Sequence, residues 1–231
     1  MRHHSRAHIA EHLQQSVTGQ VELQSGLMTT LQLLPARPLV PCRSCQLNNR
    51  GKLTFLQWPA TACIVQNKLG AKQCGAYDIS AACSGFLYAL SNAVAQIESG
   101  AIKRALVIGA ETLSRIVDYN DRNTCLLFGD AAGAVVLEAR EGERGILSSH
   151  LHSDGSYFEL LGQPAFGTAV TPTEEIVRDR GYFLTMQGNE VFKVAVKMLA
   201  EVAQEAVEAN GMTIDTRRTK MTAFMFSAFW A

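Results

Sequence analysis

The most constraining feature of the chain is a change of period around one cysteine. "GAYDIS" (residues 75–80) alternates apolar and polar residues as a strand does, and "SGFLYALSNAVAQIESG" (84–100) sets Leu87, Leu90, Val94 and Ile97 on one helical face with Gly100 as a stop. "RALVIGAE" (104–111) then gives a continuous apolar run of the kind covered on both faces of a sheet. Strand, helix, strand in this order predicts a βαβ unit with a parallel pairing, hence an α/β fold. Cys83 falls at the turn from first strand to helix, among Ala81, Ala82, Ser84 and Gly85. Open α/β sheets place their chemistry at such turns. Helix-start N–H groups and the positive end of the helix dipole predict a thiol with a lowered pKa, and the small neighbours leave room for an acyl carbonyl whose oxyanion the same N–H groups could hold.

The rest of the chain is read around that unit. "TACIVQNKLG" reads as a short helix ending at Gly70, "AGAVVLEA" (132–139) and "GILSSHLHSDG" (145–155) as strands joined by a turn near Gly142, and "GNEVFKVAVKMLAEVAQEAVEANG" as a long helix with Val191, Ala195, Met198, Val202 and Ala206 in a stripe. Residues 1–55 differ: Arg2, Arg6, Arg37, Arg43, Arg50 and Lys52 stand against Glu11 and Glu22 alone, and no helix or strand there shows clear caps and period. They read as an irregular arm, a transit peptide, or sequence foreign to the fold. Nothing after Thr213 has a credible period.

Composition excludes some classes. Equal numbers of basic and acidic residues, 21 each, argue against a general nucleic-acid binder or a membrane-surface protein. No apolar run reaches the roughly 18 residues a membrane helix needs, and the first residues lack a secretory core, so the expected compartment is the cytoplasm. The six cysteines have no regular spacing and read as free thiols, with Cys63 and Cys125 in apolar runs as core, Cys74 in a turn, and Cys42 and Cys45 as a lone CxxC without the second pair a zinc ribbon requires. Neither GxSxG nor GxGxxG occurs. A metal hydrolase is a rival reading, because "HLHSD" alternates His150, His152 and Asp154 on one face of the expected strand, but further ligands are hard to find.

"YDISAACSGFLYALSNAVAQIESGAIKRALVIGAETLSRIVDYNDRNTCLLFGDAAGAVVLEA", followed by "SHLHSDGS" and "TMQGNEVFKVAV", resembles β-ketoacyl-acyl-carrier-protein synthase III over roughly residues 57–215. The resemblance implies a thiolase-like fold of two similar α/β halves layered in a sandwich, assembled as a homodimer. It implies that an acyl-CoA acylates Cys83 and that the acyl group then condenses with malonyl-acyl-carrier protein as CO2 leaves. It places Arg122 beside the CoA adenine, Gly188 and Phe192 of "GNEVFKVAV" on the CoA and pantetheine side, and Trp58 at the partner's acyl pocket. No metal or cofactor is implied beyond the substrates acyl-CoA and malonyl-acyl-carrier protein. Gly129 and Gly133 of "FGDAAGA" are expected to let chain and sheet approach closely.

On this reading residues 56–140 form the first thiolase-like half with the nucleophile, and 141–215 an insertion and the start of the second. Residues 1–55 and 216–231 are an unmatched arm and tail, expected to arise from shifted reading frames, a matter for translating the DNA in its other frames. The histidine and asparagine that the family uses in condensation have no counterpart, since the last histidine is His152. The expectation is therefore self-acylation with little condensation, the alternative being a non-catalytic fragment.

Overall fold

The computed structural model describes residues 5–9, 28–32, 59–142, 145–165, 167–171 and 173–212, the first two segments as backbone only. In chain order the elements are β1 (Ser5–Ile9), β2 (Met28–Gln32), α1 (Thr61–Lys68), β3 (Ala76–Ile79), a 3₁₀ turn (Ala82–Ser84), α2 (Gly85–Glu98), β4 (Arg104–Thr112), α3 (Arg122–Cys125), β5 (Asp130–Glu141), β6 (Leu161–Gly162), α4 (Glu174–Arg178), β7 (Thr185–Met186) and α5 (Gly188–Ala209). Five strands form one sheet in the order β1-β5-β4-β2-β3, and β6 pairs with β7 apart from it.

The βαβ unit is present, but its two strands are not paired with each other. β3 and β4 each run antiparallel to β2, which lies between them, so they point the same way one position apart. The crossover through α2 spans an intervening strand that the sequence reading did not find. Thr29 to Gln32 face Ile79 to Ala76 on one side and Gly109 to Leu106 on the other. β1 likewise extends the far edge against β5, with Ser5 opposite Glu141 and Ile9 opposite Leu137. Both lie in the stretch read as lacking strands, because five-residue strands with mixed composition carry almost no period of their own.

Side-chain alternation along β4 divides the core into two packed faces. Ala105 and Val107 pack with Ala89, Leu90, Ala93, Val94 and Ile97 of α2 and with Leu137 of β5. Leu106 and Ile108 pack with Val65 of α1 and Val136. The sheet is thus sandwiched between α1 and α2, which is why "RALVIGAE" is apolar throughout. Gly109 is where backbone and helix come closest: a Cβ there would meet the Phe86 ring at 3.3 Å. Gly129 and Gly133, expected to serve that purpose, face open space among the described residues, since the start of β5 is exposed.

α1 and α2 form as read, closed by Gly70 and Gly100 with φ of +63° and +77°. The expected strand over 145–155 does not form. Its histidines turn to α5 instead, with His150 Nδ1 2.9 Å and His152 Nε2 2.7 Å from the two oxygens of Glu205. Among the cysteines, Cys74 is the buried one, its thiol donating to the Ala71 carbonyl (3.2 Å), whereas Cys63 and Cys125 are half-buried. Cys42 and Cys45 lie outside the described residues.

Candidate active site

The site is assembled where β3 hands over to α2. β3 is anchored from behind by Asp78, buried in the interior, whose carboxylate accepts the N–H groups of Thr61 and Ala62 at 2.8 Å each. Those are the first two residues of α1, whose preceding residue, Ala60, offers no side-chain cap. A carboxylate sixteen and seventeen positions away therefore satisfies helix-end donors that would otherwise be stranded. Burial raises the Asp78 carboxyl above its usual range, and the two N–H groups act against that rise.

Past Ile79 the chain turns sharply. Ala82 has φ +42°, a left-handed conformation that costs a residue with a Cβ about 1–2 kcal/mol. Cys83 follows inside the 3₁₀ turn, one residue ahead of Ser84, the residue that caps α2. The strain fixes where the thiol emerges: Ala81 and Ser84 are buried on either side while Cys83 is exposed.

The electrostatics differ from the sequence expectation. The Cys83 thiol is pushed up, not down, first by burial on its inner side and then by the negative charge of Glu111, with only its own backbone N–H pulling the other way. Loss of solvent and a like charge both disfavour the thiolate, and they act in the same direction here. Glu111, at the end of β4, is the residue that the sequence reading passed over. Its Oε2 is enclosed without a hydrogen-bond partner among the described residues, and burial raises the carboxyl to about 8. The β4 alternation was the available signal, since 105, 107, 109 and 111 share a face.

The other expected residues are placed as follows. Arg122 opens α3 and is exposed, in a helix capped by Asp121, which accepts the Asn123 N–H at 3.0 Å. α3 packs beside β7, and α5 begins with Gly188 two residues after β7 ends. Phe192, one turn into α5, is 70 % exposed. The same region is pinned by Arg180, whose guanidinium pairs with Asp118, and by the Leu184 N–H on the Ile116 carbonyl at 2.8 Å. The structure thus places Arg122 on α3 beside β7 and Gly188 just after β7, with Phe192 one turn further along α5, and the charge of Glu111 acts on Cys83. Trp58 lies outside the described residues. Among the described residues, no group of three or more histidine, cysteine or acidic side chains is arranged to hold a metal ion.

The family model of 3-oxoacyl-[acyl-carrier-protein] synthase III matches residues 77–155, which hold Cys83, Glu111 and Arg122. The chain is 54 % identical over 157 residues to the β-ketoacyl-[acyl-carrier-protein] synthase III of Alkalilimnicola ehrlichii, covering 67 % of this chain and 47 % of that protein. This part of the chain belongs to the β-ketoacyl-acyl-carrier-protein synthase III family. The synthase III of Xylella fastidiosa is 57 % identical over 155 residues, 67 % of this chain and 46 % of its own length. The chain therefore spans about half the length of the curated relatives it matches. Among solved structures, synthase III from Aquifex aeolicus superposes with a TM-score of 0.62 at 43 % identity, over 73 % of this chain and 49 % of that one. The priming β-ketosynthase of the R1128 polyketide pathway superposes at 0.58 with 30 % identity, over 73 % of this chain and 48 % of that one. The fold is the thiolase-like α/β fold of these condensing enzymes. No helix among the described residues is long and apolar enough to cross a membrane.

Proposed function

We propose that this chain carries the acyl-accepting part of a synthase III type acyltransferase, with Cys83 as the nucleophile. The observation that carries the reading is the exposed thiol held at a strained strand-to-helix turn, inside the segment that matches the family. The Cys83 sulfur attacks the carbonyl carbon of an acyl-CoA, the bond from that carbon to the CoA sulfur breaks, and the proton that leaves Cys83 ends on the CoA thiol. The small residues on both sides, Ala81, Ala82 and Gly85, leave the approach open. In the whole reaction the acyl group condenses with malonyl-acyl-carrier protein, with loss of CO2, to begin fatty-acid synthesis in the cytoplasm.

Arg122 at the end of the CoA path, Gly188 and Phe192 along it, and Trp58 at the acyl pocket of a partner protomer complete the proposal. The exposure of Arg122 and Phe192 and the packing of α3 beside β7 support it. Residues 56–140 then form the thiol-bearing half, 141–215 the insertion and the entry to the second half, and the working unit is a homodimer.

Incubation with acetyl-CoA followed by intact-protein mass spectrometry tests the reading. The expected result is one added acetyl group that is lost in Cys83→Ala. A folded protein that gains no mass, or a gain that survives the substitution, overturns it.

A further inference from the structure

The paired histidines of "HLHSD" (150–154) take no part in the proposed acyl transfer, yet they belong to a longer chain of hydrogen bonds than a helix clamp requires. His150 Nδ1 is 2.9 Å from one oxygen of Glu205, and its other ring nitrogen, Nε2, is 2.9 Å from the Ser148 hydroxyl. His152 Nε2 meets the second Glu205 oxygen at 2.7 Å. A clamp between the 145–155 stretch and α5 would end at the ring that touches Glu205. Here the line continues through that ring to a hydroxyl, giving nucleophile, base and orienting carboxylate in succession, the arrangement that activates serine whatever the order of the three along the chain.

Hydrogen-bond chemistry fixes the protons. An ionised carboxylate only accepts, so His150 presents Nδ1–H to Glu205 and leaves Nε2 to accept the Ser148 O–H. Glu205 is held below the ordinary carboxylate range, first by its hydrogen bond from His150 and then by that from His152, and is ionised at neutral pH. Asn210, just past the end of α5, commits its side-chain amide to the Ala206 carbonyl at 2.8 Å and to the Ser148 oxygen at 2.7 Å, so the hydroxyl is steered from both sides. The neighbouring carboxylates are engaged elsewhere: Asp154 accepts the Ser156 N–H and hydroxyl at 2.9 and 2.6 Å, Glu208 accepts from Gln204, and Glu201 lies 4.0 Å from Lys197. The His150 side chain is only 13 % exposed, whereas Ser148 is open to solvent, which shields the base and presents the nucleophile. The Ser149 N–H meets no backbone acceptor among the described residues, and the residue after the nucleophile is one that supplies an oxyanion donor in serine acyl-transfer sites.

We propose that Ser148, His150 and Glu205 form a second nucleophilic site, independent of Cys83, that hydrolyses small acyl esters at the protein surface. Ser148 Oγ bonds to the acyl carbon, its proton passes to His150 Nε2, and that proton moves on to the leaving oxygen as the ester bond breaks. Solvent water then attacks the acyl-serine and gives a proton to His150, which returns it to Ser148 Oγ as the carboxylic acid departs. Glu205 holds the ring in the required tautomer and offsets the charge the ring gains. His152 and Asn210 are positioning residues, one acting on the carboxylate and the other on the hydroxyl. Leu147, just before the nucleophile, and Met212, two residues beyond Asn210, leave apolar surface in solvent, which suits a short apolar acyl chain.

Two probes test the site in the full chain. Diisopropyl fluorophosphate is expected to phosphorylate Ser148 well ahead of the exposed Ser99 and Ser153, as located by peptide mass spectrometry, with a rate that climbs as pH rises through the imidazole range. His150→Gln should slow that labelling about 100-fold, and Glu205→Gln should slow it less while moving the midpoint to lower pH. Hydrolysis of p-nitrophenyl acetate, followed in a Cys83→Ala background so that the thiol adds nothing, should be lost when Ser148→Ala is introduced. Labelling of Ser148 no faster than that of Ser99 and Ser153 overturns the proposal, as does a His150→Gln rate equal to the parent's or ester hydrolysis that survives Ser148→Ala. Should His150→Gln fail to fold, the parent's pH profile decides: a rise through the imidazole range supports the site, and a flat profile there overturns it. The acyl-transfer reading stands or falls separately, on whether acetyl-CoA adds a group to Cys83.

Discussion

Helices α2 and α5 are both amphipathic in sequence, yet Leu87, Leu90, Val94 and Ile97 of α2 are all buried, whereas α5 buries only Val202 and Val207 and leaves Val196 half in solvent and Phe192 mostly so. The first helix is closed against the sheet and follows the turn that holds Cys83. The second rests on its neighbours largely through polar contacts: Glu205 with both histidines, and the Asn210 side-chain amide donating to Ser148 at 2.7 Å. Free energy around Cys83 is hydrophobic and insensitive to salt, while that of α5 is electrostatic and conditional. A rigid bed thus lies beneath the Cys83 turn, and a loosely held face surrounds Phe192.

The largest expected effect breaks the packed side alone. Ile97→Ala, at a side chain 1 % exposed, should lower unfolding free energy by about 3 kcal/mol, and Phe192→Ala should change it by no more than about 0.5 kcal/mol, both read from urea denaturation. Equal losses would mean that α5 is packed as tightly as α2. Next comes Asp78→Ala, which strands the Thr61 and Ala62 N–H groups at a cost of about 2 kcal/mol. Faster amide exchange confined to the start of α1 is its signature, and unchanged exchange there would assign the anchor to another group.

A smaller change should run the other way. Ala82→Gly relieves the left-handed strain and is expected to stabilise the fold by about 1 kcal/mol while slowing acylation, because the thiol loses its fixed exit. A destabilised variant with unaltered acylation would remove strain from the account of the site.

The slightest effects distinguish the two regions by pH. Glu111 is raised from 4.5 to about 8, so its contribution is complete below 4.5 and fades as pH climbs through 8. Glu205 is lowered, chiefly by its hydrogen bonds from His150 and then His152, so its contribution is present above the ordinary value of 4.5 and fades as pH falls below it. Glu111→Gln should flatten the alkaline decline of the urea midpoint and Glu205→Gln the acid one. Exchange of those two outcomes would reverse the assignment.

What the sequence revealed depended on distance along the chain. α1, α2, the double-faced β4 and the position of Cys83 were legible because each is announced by its own period and stops. β2 was not, since Met28–Gln32 is a strand only by virtue of partners at Ala76–Ile79 and Leu106–Ala110. The same holds for Asp78, whose partners are sixteen and seventeen positions back, and for the histidine pair, whose alternation looked like a strand because their common partner, Glu205, lies over fifty residues on. The direction of the Cys83 shift was missed for a related reason: the helix start is local and readable, but the burial that chiefly raises the thiol comes from tertiary packing, and the carboxylate that adds to it sits on another strand.

The Asp78 clamp ties the start of α1 to the strand that leads to Cys83. Asp78 is five positions before Cys83 and grips the first peptide groups after Pro59 and Ala60, so the start of α1 and the strand before the thiol are joined through one carboxylate as well as through the sheet. The peptide groups that open α1 and the strand that ends at the thiol thus share one buried anchor.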